Sequence, residues 1–278
     1  MCFDGFGSIV CTAYRQAEVV CPLQGRHGLK RRNVALLCAA AATIAVFAAV
    51  NLAPAAVSAA ATQRQLPIYC VERDQKVCSI SFDAAWGADN TQRILDVLDE
   101  YGVKATFFVV SAWAEQYPDT AKAIVAHGHE LMNHSAKHDH YNTLTASQIV
   151  ADVNCCNDVI ESLSGVRPTL IRCPFGEYDD HVIAAIRSID MEPIQWDVDS
   201  LDWKGISAAE ITKRVTGKVG CGSIVLFHNA GEHTPEALPD ILRWMKQEGF
   251  EIVPISEILI DGDYTIDHEG RQHAAKAG

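Results

Sequence analysis

The apolar and polar positions of the chain change rhythm along its length. Residues 34–50 form an almost unbroken apolar run, Ala-rich on every side, and a weaker Ala-rich stretch continues to residue 61. From residue 77 the pattern becomes regular. Short runs rich in β-branched and aromatic residues alternate with longer segments whose apolar residues recur every three or four positions. The strand-like runs are Val77 to Phe82, Ala105 to Val110, Glu130 to Asn133, Thr169 to Cys173, Glu192 to Val198, Ser223 to Phe227 and Glu251 to Ile255. The helix-like segments are Thr91 to Tyr101, Pro118 to Ala126, Thr145 to Leu163, Asp179 to Ile189, Ser207 to Val219 and Thr234 to Glu248. Thr145 with Gln148 and Ser207 with Glu210 have the form of capping boxes, in which hydroxyl and carboxyl or amide satisfy each other's backbone N–H. Gly249 stands where the last helix should stop.

Alternating strands and helices imply an α/β fold with a parallel sheet. Seven such units within residues 77–260 fit a closed or nearly closed (β/α) barrel better than a small open sheet. An open doubly wound sheet is the alternative, but no Gly-rich nucleotide fingerprint follows any strand.

The apolar run sets the domain organisation. It follows the basic cluster Lys30-Arg31-Arg32, which predicts a cytoplasmic N-terminus and export of the remainder. A membrane span needs ~20 residues, so residues 33–54 are long enough to anchor the chain. Val57-Ser58-Ala59 also resembles a cleavage site, which makes a removed signal helix the second reading. The expected segments are a basic-ended tail (1–32), a transmembrane or signal-anchor helix (33–54), a linker (55–76), the α/β domain (77–260) and a C-terminal tail (261–278). The expected location is the cell membrane, single-pass with the domain extracytoplasmic, or alternatively secreted.

A formal net charge of −12 argues against a nucleic-acid partner, whose phosphates require a basic surface. Of the ten cysteines, Cys70, Cys78, Cys155, Cys156, Cys173 and Cys221 fall in the exported part. They contain no CxxC pair of the zinc-ribbon kind, and their pairing is left open.

In parallel α/β folds the chemistry gathers at the C-terminal ends of the strands. Those ends here read Ser81-Phe82-Asp83, Asn133-His134-Ser135, Arg172-Cys173-Pro174, Asp197 to Asp202, and Leu226-Phe227-His228. Helix capping accounts for one or two such polar residues, not for five. His134 and His138 are spaced i, i+4, which on one helical turn points two imidazoles at a single ion; a lone HxxxH is more often two surface residues. Asp83 after a buried strand can take a proton from a water, or simply cap a helix. Arg172 can hold a carboxylate by a bidentate pair. His228 is placed to act as a general acid, and Asp202 can fix its tautomer and favour its charged form.

In this order and at these strand ends, Ser81-Phe-Asp83, His134-Ser-Ala-Lys-His138, Arg172-Cys-Pro-Phe-Gly176, Asp199-Ser-Leu-Asp202-Trp203 and Leu226-Phe-His228 resemble the five motifs of the polysaccharide deacetylases. These are the NodB-homology enzymes of carbohydrate esterase family 4. Leu66-Pro67-Ile68-Tyr69 and Phe82-Asp-Ala-Ala-Trp-Gly87 resemble the sporulation-type branch of Gram-positive bacteria. The resemblance spans residues 77–254. It implies removal of N-acetyl groups from an extracytoplasmic polysaccharide with N-acetylglucosamine units, peptidoglycan or a chitin-like oligosaccharide. It implies a distorted (β/α) barrel, and a divalent metal, usually zinc, on His134 and His138. Asp83 is then the base, Arg172 orients it, His228 is the acid and Asp202 its partner. Trp203 and Leu226 line the acetyl pocket, and Phe175 and Tyr178 meet the substrate.

Two positions depart from the family's pattern. The family places a second aspartate after the base, as a metal ligand; here it is Ala84, so Asp83, Asp89 or His140 must substitute. Cys173 stands where the family has proline. The rival expectation is a metal-free, weak or inactive glycan-binding protein of the cell envelope or spore. A second rival is a hydrolase of small amides or imides on the same barrel.

Overall fold

The computed structural model describes residues 36, 38–44 and 64–275. The chain divides into two compact units, residues 1–62 and 63–278. In the first, the described residues are helical and exposed. No helix among the described residues is long and apolar enough to cross a membrane. Most of the expected anchor 33–54, the basic cluster before it and the 57–59 sequence lie outside the described residues.

The second unit is built on a parallel sheet. Its strands are β2 (Val77–Ala84), β3 (Thr106–Val109), β4 (Glu130–Asn133), β5 (Leu170–Ile171), β6 (Glu192–Pro193), β7 (Val198–Asp199) and β8 (Ile224–His228). They are ordered β6-β5-β4-β3-β2-β8-β7, and β9 (Glu251–Ile252) pairs with the start of β2. Every pairing along this path is parallel. The sheet curls into a half-barrel of seven strands, as the alternating pattern predicts. The helices on it are α1 (Thr91–Glu100), α2 (Ser111–Gln116), α3 (Pro118–Ala126), α4 (Ala146–Ser164), α5 (Asp180–Arg187), α6 (Ala208–Thr216), α7 (Thr234–Gln247) and α8 (Ile255–Ile258). Both expected capping boxes form, at Thr145/Gln148 and Ser207/Glu210. Gly249 follows α7 at φ +82°, the left-handed turn that ends it.

Alternation along β2 divides apolar packing from chemistry. Phe82 is the register partner of Phe107 on β3 and of Phe227 on β8, with ring centroids 4.9 and 5.5 Å away. The three rings pack with Ile94, Leu98 and Leu238 of the helices, each burial contributing ~1.5–3 kcal/mol. Ser79, Ser81 and Asp83 occupy the opposite parity, since successive side chains leave a strand on opposite faces. Small Ser81 leaves space there for the guanidinium of Arg172, to which it is hydrogen-bonded.

The structure adds to or departs from the sequence reading at three places. The single strand expected over 192–198 is two short strands, β6 and β7, on opposite edges of the sheet. Pro193 has no N–H to extend a ladder, and proline is confined to sheet edges. The chain beyond it pairs with Ile68 and then runs along β8, where Asp197 N–H donates to the Ile224 carbonyl. Second, α2 has no forerunner in the sequence reading, being too short to show a period. Third, order continues on both sides of 77–260. Within the expected linker, β1 (Cys70–Val71) pairs in parallel with β11 (Arg271–Ala274), and β11 pairs antiparallel with β10 (Tyr264–Ile266) of the expected tail. Gly222 allows Val71 to reach β8: a Cβ there would lie 1.7 Å from the Val71 carbonyl oxygen. All described cysteines are free thiols.

Candidate active site

A cleft of about 640 Å³ opens at the C-terminal ends of the strands, where the five motifs meet. Its floor is set by strand register: Asp83 on β2 is the direct partner of His228 on β8. Around them the cleft is lined by His134, His138, Phe175, Asp202, Trp203 and Leu226, among others. Nine of the ten expected site residues are therefore gathered within one place, Arg172 lying just beneath the floor. Tyr178 is the exception: half-buried outside the cleft, it shares a hydrogen bond of 2.8 Å with the Tyr69 hydroxyl.

Asp83 is buried, and one oxygen accepts from Arg172 Nη1 at 2.6 Å. The guanidinium is fully buried; it also donates to Ser81 Oγ at 2.9 Å and to the Gln195 carbonyl at 3.2 Å. It lies 4.2 Å over the Phe108 ring, and that contact with the negative face of the ring partly replaces lost hydration. Burial alone would raise the pKa of Asp83, but Arg172, His134 and His228 outweigh it, and the carboxyl stays below its ordinary range. Asp83 is thus an ionised acceptor with one oxygen free.

The i, i+4 histidines do face one another, but not on a helix, and this corrects the sequence reading. Residues 134–140 form a loop, with Ser135 at φ 77° and His138 at φ 62°. Side chains impose that curl: Asn133 Oδ1 accepts from Ser135 N–H at 2.7 Å, and Ser135 Oγ accepts from His138 N–H at 2.8 Å. The two rings end with centroids 4.9 Å apart. His138 is also held edge-on between Trp86 and Phe175, at 4.7 and 4.4 Å.

The protonation of this pair tests its fitness for a cation. His134 Nδ1 lies 2.7 Å from the Arg172 carbonyl, so it carries the proton and leaves Nε2 with a lone pair. That lone pair faces the free oxygen of ionised Asp83 at 3.6 Å. Two electron-rich atoms so placed call for a positive charge between them. Burial lowers the pKa of His134, and brings that of His138 down to about 4, so both imidazoles are neutral at neutral pH. His138 Nδ1 is buried without a hydrogen-bond partner. In metal sites a ligand imidazole usually has its other N–H fixed in this way by a backbone carbonyl or carboxylate. The pair suits a divalent cation, yet no group of three potential ligands is present among the described residues. Ala84 is buried in the apolar core. Of the three expected substitutes only Asp83 stands beside the pair, 3.6 Å from His134; Asp89 is exposed, and His140 bonds Glu177 and stacks on Phe175.

On the opposite side, His228 Nδ1 is 2.8 Å from Asp202 Oδ1, and Asp202 Oδ2 accepts from His228 N–H at 2.8 Å and from Thr234 Oγ1 at 2.6 Å. Burial would push the imidazole toward neutrality, but the hydrogen bond and charge of Asp202, with Asp83 and Asp199, raise its pKa above the ordinary 6.5. Bonding of Nδ1 to Asp202 leaves Nε2 as the free ring nitrogen. The sequence reading missed Thr234, for which a helix-start threonine gave no signal. It also missed Gly231, where any Cβ would meet Thr234 Oγ1 at 2.1 Å and Asp202 Oδ2 at 2.8 Å.

Fold and site together define a parallel half-barrel whose cleft holds an ionised carboxylate and a proton-holding imidazole on adjacent strands. Comparison narrows the class. The family model "Polysaccharide deacetylase" matches residues 71–194. The chain is 32% identical to the peptidoglycan-N-acetylmuramic acid deacetylase PdaC of Bacillus subtilis, over 68% of this chain and 40% of the relative. It is 32% identical to a peptidoglycan-N-acetylglucosamine deacetylase of Bacillus cereus, over 65% of this chain and 67% of the relative. A CE4 family pseudoenzyme from Bacillus anthracis superposes with a TM-score of 0.67 at 32% identity, over 69% of this chain and 68% of that one. A mutant of that pseudoenzyme has restored enzymatic activity. The chain belongs to the polysaccharide deacetylase family, carbohydrate esterase family 4. It spans less than half the length of the muramic acid deacetylase.

Proposed function

We propose that this protein hydrolyses the acetamide of N-acetylated sugars in an extracytoplasmic polysaccharide, peptidoglycan or a chitin-like chain. The observation that carries the reading is the Asp83–His228 pair: register partners on β2 and β8, one held below its ordinary pKa and the other above. Amide hydrolysis needs both states together. Asp83 takes a proton from the attacking water through its free oxygen, while Arg172 keeps the carboxylate ionised and aimed. The water oxygen bonds to the acetyl carbon. His228 delivers a proton from Nε2 to the amine nitrogen as the C–N bond breaks, leaving acetate and a glucosamine unit. Buried Leu226 and exposed Trp203 are apolar walls for the acetyl group.

His134 and His138 would hold a divalent metal, for which we propose zinc; bound there, it would supply Lewis-acid polarisation of the acetyl carbonyl. We also place the domain outside the cytoplasmic membrane, anchored or released by residues 33–54, because a basic cluster precedes that apolar run.

Ala84 favours a second reading, a glycan-binding protein with little or no turnover. The experiment is acetate release by the purified protein on chito-oligosaccharides and on peptidoglycan, with and without zinc, beside His134→Ala. Release requiring both zinc and His134 supports the enzyme. Glycan binding without release selects the second reading.

A further inference from the structure

The cleft has a one-sided charge. Four carboxylates line it, Asp83, Asp199, Asp202 and Glu232, and no lysine or arginine side chain does among the described residues. Two of the four are matched: Asp83 by Arg172 and Asp202 by His228. Asp199 and Glu232 enter no ion pair among the described residues. Asp199 is half-buried and accepts only from Leu201 N–H, and Glu232 is exposed. Both stand on the wall that carries His228. Glu232 overhangs the turn beside Trp203, since a Cβ on Gly205 would lie 4.0 Å from Glu232 Oε2. Trp203 itself is 58% exposed, with Lys204 Nζ 4.9 Å from the ring centroid and the two unpaired carboxylates beside it.

A sugar ring packs an apolar face on an aromatic side chain and offers polar substituents at its edge. Hydroxyls and ammonium groups there can donate to Asp199 and Glu232. A carboxylate at that edge meets the two like charges of Asp199 and Glu232 against a single ammonium, that of Lys204 on the Trp203 ring, a net repulsion that sets partner choice more than raw affinity. The formal net charge of −12 acts in the same direction on approach.

We propose that Asp199 and Glu232 are specificity-determining residues that exclude carboxylate-bearing sugars, so that the cleft takes neutral or partly deacetylated N-acetylglucosamine chains rather than muramic acid with a free lactyl carboxylate. This rests on reading the cleft as a site for N-acetylated glycans, and it separates the two sugar chemistries that the relatives' names record.

Equilibrium binding tests it without requiring turnover. The full chain is titrated calorimetrically with three tetrasaccharides: chitotetraose, its partly deacetylated cationic form, and an alternating glucosamine–muramic acid tetramer with free lactyl carboxylates. The anionic tetramer should bind on the order of tenfold more weakly than chitotetraose at low salt, the cationic one at least as tightly as chitotetraose, and the gap should shrink as salt screens it. Asp199→Asn/Glu232→Gln should narrow the gap by improving binding of the anionic tetramer. Equal or tighter binding of that tetramer, a gap untouched by the double variant, or no binding of any tetramer overturns the inference. Acetate release is assayed separately on the same sugars. The predicted binding order without release removes the deacetylase reading and leaves this inference standing.

Discussion

Asp83 and His228 occupy equivalent positions on adjacent parallel strands, and the protein gives them opposite proton affinities. On one flank, Arg172, following β5, brings a buried guanidinium to Asp83. On the other, Asp202, following β7, brings a buried carboxylate to His228. Burial penalises the charged form of both groups, so the sign of each shift is decided by the partner. An acid–base pair here is a matter of which charge the next motif supplies, more than of the two residues themselves. The flanks also differ in redundancy. Asp83 relies on one guanidinium, whereas Asp202 is fixed by two hydrogen bonds from His228 and one from Thr234.

The largest effect should come from the less redundant flank. Arg172→Met leaves Asp83 buried without its cation, and removing one partner of a buried pair costs about 3–5 kcal/mol. Chemical denaturation should show that loss, and Arg172→Met/Asp83→Asn should recover much of it. If the single variant is as stable as the parent, the flanks are not unequal as described. Asp83→Asn alone should keep the fold and reduce acetate release by about 10²–10⁴-fold. Near-normal release would remove Asp83 as the base.

Ala84→Asp tests the missing ligand. A carboxylate placed in the apolar core without a metal should destabilise by about 1–3 kcal/mol. Zinc should then raise its melting temperature by more than it raises the parent's, because only ligand bound to the folded state stabilises. An equal zinc response in both proteins would show that position 84 does not reach the metal.

The pH dependence separates the flanks. Asp83, with a lowered folded pKa, contributes stability that is full above its unfolded value of about 3.9 and is lost as pH falls through the folded one. His228, raised above 6.5, contributes stability that is full below about 6.5 and is lost as pH rises through its folded pKa. Turnover should therefore fall at an alkaline limb above 6.5, and Asp202→Asn should move that limb downward. Protonation of His138, near pH about 4, should release metal on the acid side. The smallest effect is expected for Thr234→Val, about 1 kcal/mol from one lost hydrogen bond, with a slight downward shift of the same limb. A shift as large as that of Asp202→Asn would mean that Thr234, rather than the imidazole, sets the orientation of Asp202.

Much of this was legible in the sequence because it is local. Capping at Thr145 and Ser207 depends on residues three apart, and the strands of the sheet follow from apolar runs whose ends carry Asp83, His134, Arg172 and His228. The spacing of His134 and His138 was visible, but its cause was not: a loop curled by Asn133 and Ser135 does what a helical turn was expected to do. Tyr178 looked equivalent to Phe175 three positions away, and only packing against Tyr69 shows that it faces elsewhere. Periodicity could not divide residues 192–198 between two sheet edges, because the bend answers to Ile68 and Ile224, far away in the chain.

The sequence by itself therefore determined the α/β order of elements, the family, and the residue types at each strand end, since periodicity and motif order are properties of neighbouring residues. Only the tertiary structure decided which charge stands beside which group, and with it the protonation of Asp83 and His228 and the unmatched carboxylates of Asp199 and Glu232. Proton affinity depends on burial and on charges a few ångströms away, and those distances are set where segments remote in the chain are brought together.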